Sequence, residues 1–331
     1  MTRRRLGRLA TLALTLFAAL GLAPASAEQI VVSNYGVAIN GAPFAVAMER
    51  GFFREEGANV TGIITSAGGG TSMRNMIAGG VPYAEVNPTV AIAAIQAGAD
   101  IRIISHNVLT VAEFVWAVRP DSPIQSMQDV RGRKLGYTSP RSTSQGLVQE
   151  LVKRAGLQVS DVELVRTGGF GEGLAALESR LIDVTPIPEP LWSQHGSRFR
   201  AIARASESLP PLSNLVGVTT TNMAAERGDF IRAIIRGRRR AVEFMHQDPD
   251  AAGDIVARAY NIPPEVGRSA VRALTSSRTE GVPYWGPGNF NMASMERMVE
   301  LQRGIGGLSG EIDLARMIDQ RFLPEDLRSS R

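Results

Sequence analysis

Hydroxyl and cationic side chains are concentrated in residues 139–144, whose sequence is Ser-Pro-Arg-Ser-Thr-Ser. An apolar helical pattern follows, so this segment precedes the start of a helix. Ser139, Arg141, Ser142 and Thr143 would then surround the free amides of that helix start. Hydroxyls, a guanidinium and amides together suit a carboxylate or a sulfonate. The alternative is an ordinary helix cap with a solvated arginine.

A glycine-rich turn at residues 66–72 is the second candidate site. Ser66 begins it, Gly69 and Gly70 permit close approach of a ligand to the backbone, and Thr71 stands at the next helix start. An ordinary turn is the alternative. The preceding β-branched run predicts a strand, and a turn at the end of a strand favours a ligand site.

Both segments lie in a chain that alternates strand and helix patterns. Ile30, Val31 and Val32 predict a buried parallel strand, and residues 44–52 have the spacing of an amphipathic helix. The alternation repeats further on, where residues 181–184 are predicted as a strand and the prolines of residues 186–190 as a break. Such units wind right-handed into parallel sheets.

Ligands of open α/β sheets bind beyond the carboxyl ends of the strands. Aromatic side chains there would supply flat apolar walls, and Glu189 would pair with a ligand amine or with a local arginine. For any single aromatic residue, core packing is the alternative. The candidate ligand-binding residues are Asn34, Tyr35, Ser66, Gly69, Gly70, Thr71, Asn87, Ser139, Arg141, Ser142, Thr143, Phe170, Glu189 and Trp192.

Proline-rich breaks near residues 119 and 210 divide the chain. They bracket a middle block of suitable size for a domain. We therefore predict two lobes, with residues 28–118 and 216–331 forming lobe 1 and the inserted residues 119–215 forming lobe 2.

The N-terminus has the pattern of a secretory signal peptide. Four arginines precede an apolar run, and Ala25-Ser26-Ala27 is a small-residue cleavage signal, so cleavage is predicted after Ala27. Thr2-Arg3-Arg4 leaves twin-arginine export open beside the ordinary route. The chain has no cysteine, which excludes disulfides and a lipid anchor on an N-terminal cysteine. We expect a periplasmic protein that is not membrane-anchored.

Charge and motif content exclude several functions. Residues 1–27 carry four arginines and no acid, which accounts for the whole formal net charge of +4, so the mature chain is neutral and no nucleic-acid partner is expected. The sequence lacks a nucleophile elbow, a phosphate-loop lysine and a dinucleotide glycine pattern. The three histidines lack metal-ligand spacing. We expect no catalytic residues, no metal and no cofactor.

Several short motifs resemble one family. They are Glu49–Gly57, Arg119–Ile124, Asp129–Lys134, Ala176–Val184 and the pair Glu189-Pro190. In this order they resemble the periplasmic substrate-binding proteins of ABC importers of the nitrate, sulfonate, taurine and thiamine-precursor group.

This resemblance implies a two-lobed α/β fold of the type II periplasmic binding proteins. Each lobe would hold a mostly parallel sheet flanked by helices, with a cleft between the lobes. It also implies a small-molecule ligand, here expected to be an organic anion, and a membrane permease as partner; we expect a monomer. The alternatives are a ligand sensor, or an enzyme of the pyrimidine-synthesis kind on the same fold.

Overall fold

Thirteen strands of the described residues form one six-stranded sheet, one three-stranded sheet and two two-stranded sheets. The computed structural model describes residues 28–66 and 68–329, so the predicted signal peptide lies outside the described residues. In chain order the strands are β1 (Glu28–Val32), β2 (Val60–Ile64), β3 (Ala84–Val86), β4 (Ile101–Val108), β5 (Phe114–Val118), β6 (Lys134–Tyr137), β7 (Glu163–Arg166), β8 (Thr185–Pro188), β9 (Arg200–Arg204), β10 (Leu215–Thr220), β11 (Arg278–Thr279), β12 (Val282–Pro283) and β13 (Trp285–Gly288).

Helices cover these sheets. In chain order they are α1 (Ala42–Glu49), α2 (Phe52–Glu55), α3 (Gly69–Gly79), α4 (Pro88–Gln96), α5 (Thr143–Arg154), α6 (Phe170–Glu178), α7 (Leu191–His195), α8 (Ala205–Ser208), α9 (Thr221–Glu226), α10 (Gly228–Gln247), α11 (Pro249–Tyr260), α12 (Pro264–Ser276), α13 (Met292–Gly304) and α14 (Leu314–Met317). Within residues 28–66 and 68–329, no helix has both the length and the apolar character needed to cross a bilayer.

Lobe 1 is built on a six-stranded sheet in the order β13-β4-β10-β3-β1-β2. β1 pairs in parallel with β2 and β3, whereas β10 is antiparallel to β3 and β4 and β13 is antiparallel to β4. The strands β1 to β4 therefore share one direction. Their carboxyl ends lie at one edge of the sheet, where the predicted turns begin.

Lobe 2 repeats this arrangement with fewer strands. β8, β5 and β9 form an antiparallel sheet, and β6 pairs in parallel with β7. A parallel bridge between Leu135 and Val184 joins the two groups. It follows that β6 to β9 run in one direction and β5 runs against them. The predicted two-lobed α/β class is confirmed.

Each lobe has its own hydrophobic core. In lobe 1, helix α10 buries Ile231 and Ile234 against the sheet, and in lobe 2 Trp116 and Leu147 are fully buried. Helix α13 joins the two, because Met298 packs in the lobe 2 core while Met295 packs in a lobe 1 core. The lobes therefore contact each other through α13 as well as through the connecting segments.

The predicted lobe boundary after Val118 needs one correction. β5 is the central strand of the β8-β5-β9 sheet and packs in the lobe 2 core, so it belongs to lobe 2. The chain crosses between the lobes before β5, and the prolines at 120 and 123 mark only the turn after it. Below, lobe 2 means β5 to β9 with α5 to α8, and lobe 1 means the six-stranded sheet with its helices.

Candidate ligand-binding cleft

A cleft of about 690 Å³ opens at the carboxyl ends of the parallel strands of both lobes. Its lobe 1 wall consists of the turns after β1, β2 and β3, and its lobe 2 wall of the turns after β6 and β7. This is where the sheet direction places ligands. The lining residues are Asn34, Tyr35, Val37, Thr65, Ser66, Gly68, Gly69, Gly70, Asn87, Thr89, Val90, Ala93, residues 138–144, residues 168–172 and Gly307.

Four helices begin at this cleft, two from each lobe. Asn87 caps α4 by accepting a hydrogen bond from the Thr89 amide (2.8 Å), and Ser142 caps α5 by accepting one from the Gln145 amide (3.2 Å). Helices α3 and α6 differ, because their N-cap residues are Gly68 and Gly169, which have no side chain to accept a bond. No N-cap side chain therefore caps the first-turn amides of α3 and α6, although the Thr71 amide of α3 donates to the Gly68 carbonyl (3.1 Å).

The hydroxyl cluster after β6 is organised around Ser144. This buried side chain accepts a hydrogen bond from the Thr138 amide (3.0 Å) and contacts the hydroxyls of Thr138 and Ser142, both at 2.9 Å. Ser144 therefore fixes the turn rather than offering itself to a ligand. Ser139, Ser142 and Thr143 remain in the lining.

Arg141 lies in the same turn with a left-handed backbone, φ +63°. Its amide donates to Gln145 Oε1 at 2.6 Å, which holds this unfavourable conformation in place. Its side chain is exposed, and among residues 28–66 and 68–329 its guanidinium forms no hydrogen bond or ion pair. The cleft thus contains an unpaired cation.

Asn87 joins the two walls of the cleft. Its Nδ2 donates to Thr143 Oγ1 of lobe 2 (2.6 Å) and also to the backbone carbonyl of Asn214 (3.2 Å), in the segment that returns the chain to lobe 1. One side chain therefore caps α4, bridges the lobes and contacts a crossing segment.

Aromatic and aliphatic side chains make up the rest of the lining. The Tyr35 ring packs edge-on against Tyr260 at 5.1 Å, and Phe170 lies 5.6 Å from Phe114. Val37 is half exposed at the cleft, so its side chain is available to contact an apolar ligand body. Burial raises the pKa of Tyr35 to about 12, so its phenol is neutral at physiological pH.

The sequence matches the family described as NMT1/THI5 like over residues 38–252. The chain belongs to the NMT1/THI5-like family. The resemblance predicted from the short motifs is thereby confirmed. No curated protein matches the sequence significantly.

Solved structures similar to this NMT1/THI5-like protein include anion-binding proteins. The alkanesulfonate-binding protein SsuA from Xanthomonas axonopodis pv. citri, bound to MOPS, is 14% identical with a TM-score of 0.73, covering 90% of this chain and 99% of that chain. The periplasmic aliphatic sulphonate-binding protein SsuA from Escherichia coli is 16% identical with a TM-score of 0.72, covering 92% and 94%. The periplasmic nitrate-binding protein NrtA from Synechocystis PCC 6803 is 13% identical with a TM-score of 0.70, covering 90% and 86%. At these identities the likeness shows the fold alone.

Most of the predicted site residues of this NMT1/THI5-like protein lie together in the cleft. Whether a ligand contacts them stays a prediction. The residues brought together are Asn34, Tyr35, Ser66, Gly69, Gly70, Asn87, Ser139, Arg141, Ser142, Thr143 and Phe170.

Three predicted residues lie outside the cleft lining. Thr71 accepts a hydrogen bond from Arg74 (2.9 Å) on the first turn of α3, and Trp192 packs under the Arg204 guanidinium at 5.4 Å. Glu189 is buried, and its carboxylate accepts a hydrogen bond from the Ser193 amide (3.0 Å) at the start of α7. Burial raises the pKa of Glu189. The hydrogen-bond donor to Glu189 is therefore a backbone amide and not the predicted local arginine, although the charge of Arg204 also acts on this carboxyl.

The sequence predictions missed Glu172 and Val37 in the lining. Both lie beyond the residues directly after a strand: Val37 is in the turn leading to α1, and Glu172 is the third residue of α6. Extending the search through the first helical turn after each strand would have found Glu172.

Proposed function

We propose that this protein is an extracytoplasmic solute-binding protein that captures a small organic anion between its lobes and delivers it to an ABC permease. The observation that carries the proposal is the cleft, which is lined by the uncapped start of α3 and by the unpaired Arg141 guanidinium. Amides and a guanidinium facing one space favour an anionic group. The sulfonate- and nitrate-binding proteins of the same fold support this assignment.

The size and lining of the cleft favour an organic anion over a bare inorganic one. A volume of about 690 Å³ falls within the range of small-molecule pockets, and nitrate would fill a small part of it. Tyr35, Val37, Val90 and Phe170 offer apolar surface for a ligand body, aromatic or aliphatic. We therefore expect a carboxylate or sulfonate with an apolar body.

Binding without turnover is the proposed activity. His106 is fully buried away from the cleft lining, and burial lowers its pKa to about 3. His195 and His246 do not line the cleft either. In the described part of the chain, no cluster of three or more histidine, aspartate or glutamate side chains is arranged to hold a metal ion.

Export and assembly complete the proposal. Residues 1–27 act as a signal peptide cleaved after Ala27, and the mature protein works in the periplasm as a monomer without a membrane anchor. Its partners are the small ligand and the permease, and nucleic acid is not among them.

The test uses the mature chain, residues 28–331, in thermal-shift and calorimetric titrations with alkyl and aryl sulfonates, aromatic carboxylates, nitrate and pyrimidines. A ligand that binds only the folded state raises the melting temperature. We expect Arg141→Gln to weaken binding of the best anion by about tenfold, because an ion pair is lost in a solvent-open cleft. Arg133→Gln is the matched control, since Arg133 lies just before β6, at the opposite end of this strand from the cleft.

Two results would count against the proposal. The first is stabilisation by none of these compounds together with turnover of one of them, which would favour an enzyme. The second is equal anion affinity in the Arg141→Gln and Arg133→Gln variants, which would remove Arg141 from the site.

A further inference from the structure

Glu172 brings a negative charge into a cleft that otherwise favours anions. Its side chain is exposed and lines the cleft, one helical turn into α6. Among the described residues of the lining, the charged side chains are Arg141 and Glu172, so their formal charges cancel. The preference of the cleft for an anion then depends on the amides of the helix starts and on the positions of the Arg141 and Glu172 charges.

The Glu172 carboxylate folds back over the start of its own helix. A β-carbon at residue 169 would collide with Glu172 Oε2 and lie 3.2 Å from Cδ. The backbone of Gly169 is extended (φ −157°), a conformation open to any residue, so what glycine supplies here is room for the flexible end of the Glu172 side chain. Glycine at 169 therefore lets the carboxylate cover the uncapped helix start.

An acidic residue at this helix position often has a purely structural role, as the partner of the N-cap amide in a capping box. That bond is not formed here. Within residues 28–66 and 68–329, the Glu172 carboxylate forms no hydrogen bond and no ion pair. It lies close to the amides of α6 without being bonded to them, and it faces the cleft.

We propose that Glu172 is a charge-selecting residue that lets the cleft accept an anion with one negative group and disfavours a ligand with two. This inference rests on the proposed function. The single anionic group binds at the uncapped start of α3 and at Arg141. A second anionic group reaching toward α6 meets the Glu172 carboxylate, and like charges at close range repel.

Matched ligands test this selection. Benzenesulfonate and benzene-1,3-disulfonate share one ring and differ by one charged group, so the ratio of their dissociation constants measures selectivity. We expect wild-type protein to prefer the monosulfonate. We expect Glu172→Gln to reduce that preference about tenfold, mainly by strengthening disulfonate binding, because one repulsive charge is removed.

Glu178→Gln is the matched control. Glu178 is the last residue of α6 and pairs with Arg198, so this variant removes one negative charge from the same helix without touching the cleft. It should leave the ratio at the wild-type value. The inference is overturned if Glu172→Gln leaves the ratio of the two dissociation constants unchanged and alters only the melting temperature of the ligand-free protein. Glu172 would then contribute to helix stability.

Inorganic sulfate separates this inference from the proposed function. If neither sulfonate binds any variant, the sulfonate proposal fails. Charge selection then stands if sulfate, a dianion, raises the melting temperature of Glu172→Gln more than it raises that of wild type or of Glu178→Gln. It is refuted if sulfate raises the melting temperature of all three proteins equally. If the sulfonates bind with the same ratio in all three proteins, the proposed function stands and charge selection is refuted.

Discussion

Glu113 makes the stability of this protein depend on pH at the junction of the lobes. It lies in the segment that leaves β4 for β5, and its side chain is 3% exposed. Oε1 accepts a hydrogen bond from Asn214 Nδ2, in the returning segment, and the Tyr284 side chain lies beside it. Within the described residues no ion pair offsets its charge. Burial raises the pKa of this carboxyl from 4.5 to about 8.

The sign and size of the effect follow from linkage. Below pH 4.5 the Glu113 carboxyl is protonated in both the folded and the unfolded states. Between pH 4.5 and about 8 only the unfolded state ionises, so folding loses stability as the pH rises through this window. Each pKa unit is worth about 1.4 kcal/mol, so wild-type protein should lose about 3 kcal/mol between pH 5 and pH 8 through this group.

Glu113→Gln removes the ionisation and keeps an oxygen to accept from Asn214 Nδ2. Urea unfolding of wild type and variant at pH 5, 6.5 and 8 gives the difference in unfolding free energy. We expect that difference to move in favour of the variant by about 3 kcal/mol across this range. Glu207→Gln, an exposed carboxylate on α8, should show no such trend. A difference that stays constant within about 1 kcal/mol would refute the buried, neutral carboxyl.

Two further predictions concern His106 and Asn87. Burial lowers the pKa of His106 from 6.5 to about 3, so its contribution to stability is present above pH 6.5 and is lost as the pH falls. In urea unfolding, wild type should lose about 2 kcal/mol relative to His106→Gln between pH 7 and pH 5. Parallel pH profiles of the two proteins would contradict this prediction. Asn87→Ala should cost about 1–2 kcal/mol in urea unfolding because it removes the α4 cap, and it should also weaken anion binding. Asn291→Ala removes the matching cap of α13, outside the cleft lining, so it should lower stability without changing anion affinity. Equal anion affinity in the two variants would show that Asn87 does not contribute to binding.

Most of the cleft could be predicted from the sequence, because ligands of open α/β sheets bind beyond the carboxyl ends of the strands and the strands at this cleft share one direction within each lobe. Asn34, Ser66 and Asn87 follow β1, β2 and β3, which share one direction, so their side chains reach one edge of the sheet. Ser139 and Phe170 follow β6 and β7 for the same reason. The rule needs only strand positions and a common direction, and the αβ alternation supplies both.

Prolines caused the errors in lobe 2. Residues 181–184 are not a strand; β8 begins at Thr185 and contains Pro186 and Pro188, which the sequence indicated as a break. Proline is tolerated there because the pairing with β6 is limited to the bridge at Val184, just before the first proline, while β8 pairs with β5 on its other side. Glu189 follows β8, and its buried carboxylate accepts from the Ser193 amide instead of lining the cleft. The sequence also placed β5 in the wrong lobe. Its lobe is determined by pairing with β8 and β9, which are distant in the chain, and local sequence patterns do not encode such pairing.

A chain of hydrogen bonds connects the cleft to both segments that join the lobes. Asn87 bonds Thr143 across the cleft and the Asn214 carbonyl, and Asn214 Nδ2 bonds Glu113. The Glu113 carbonyl accepts from the Glu189 amide, so the chain continues into lobe 2. Thr143 Oγ1 accepts from Asn87 and keeps its own proton, so we infer that Asn87 orients this hydroxyl to donate to an anion in the cleft. The cleft and the segment that returns the chain to lobe 1 thus share one side chain, which is why Asn87→Ala should change affinity when Asn291→Ala does not.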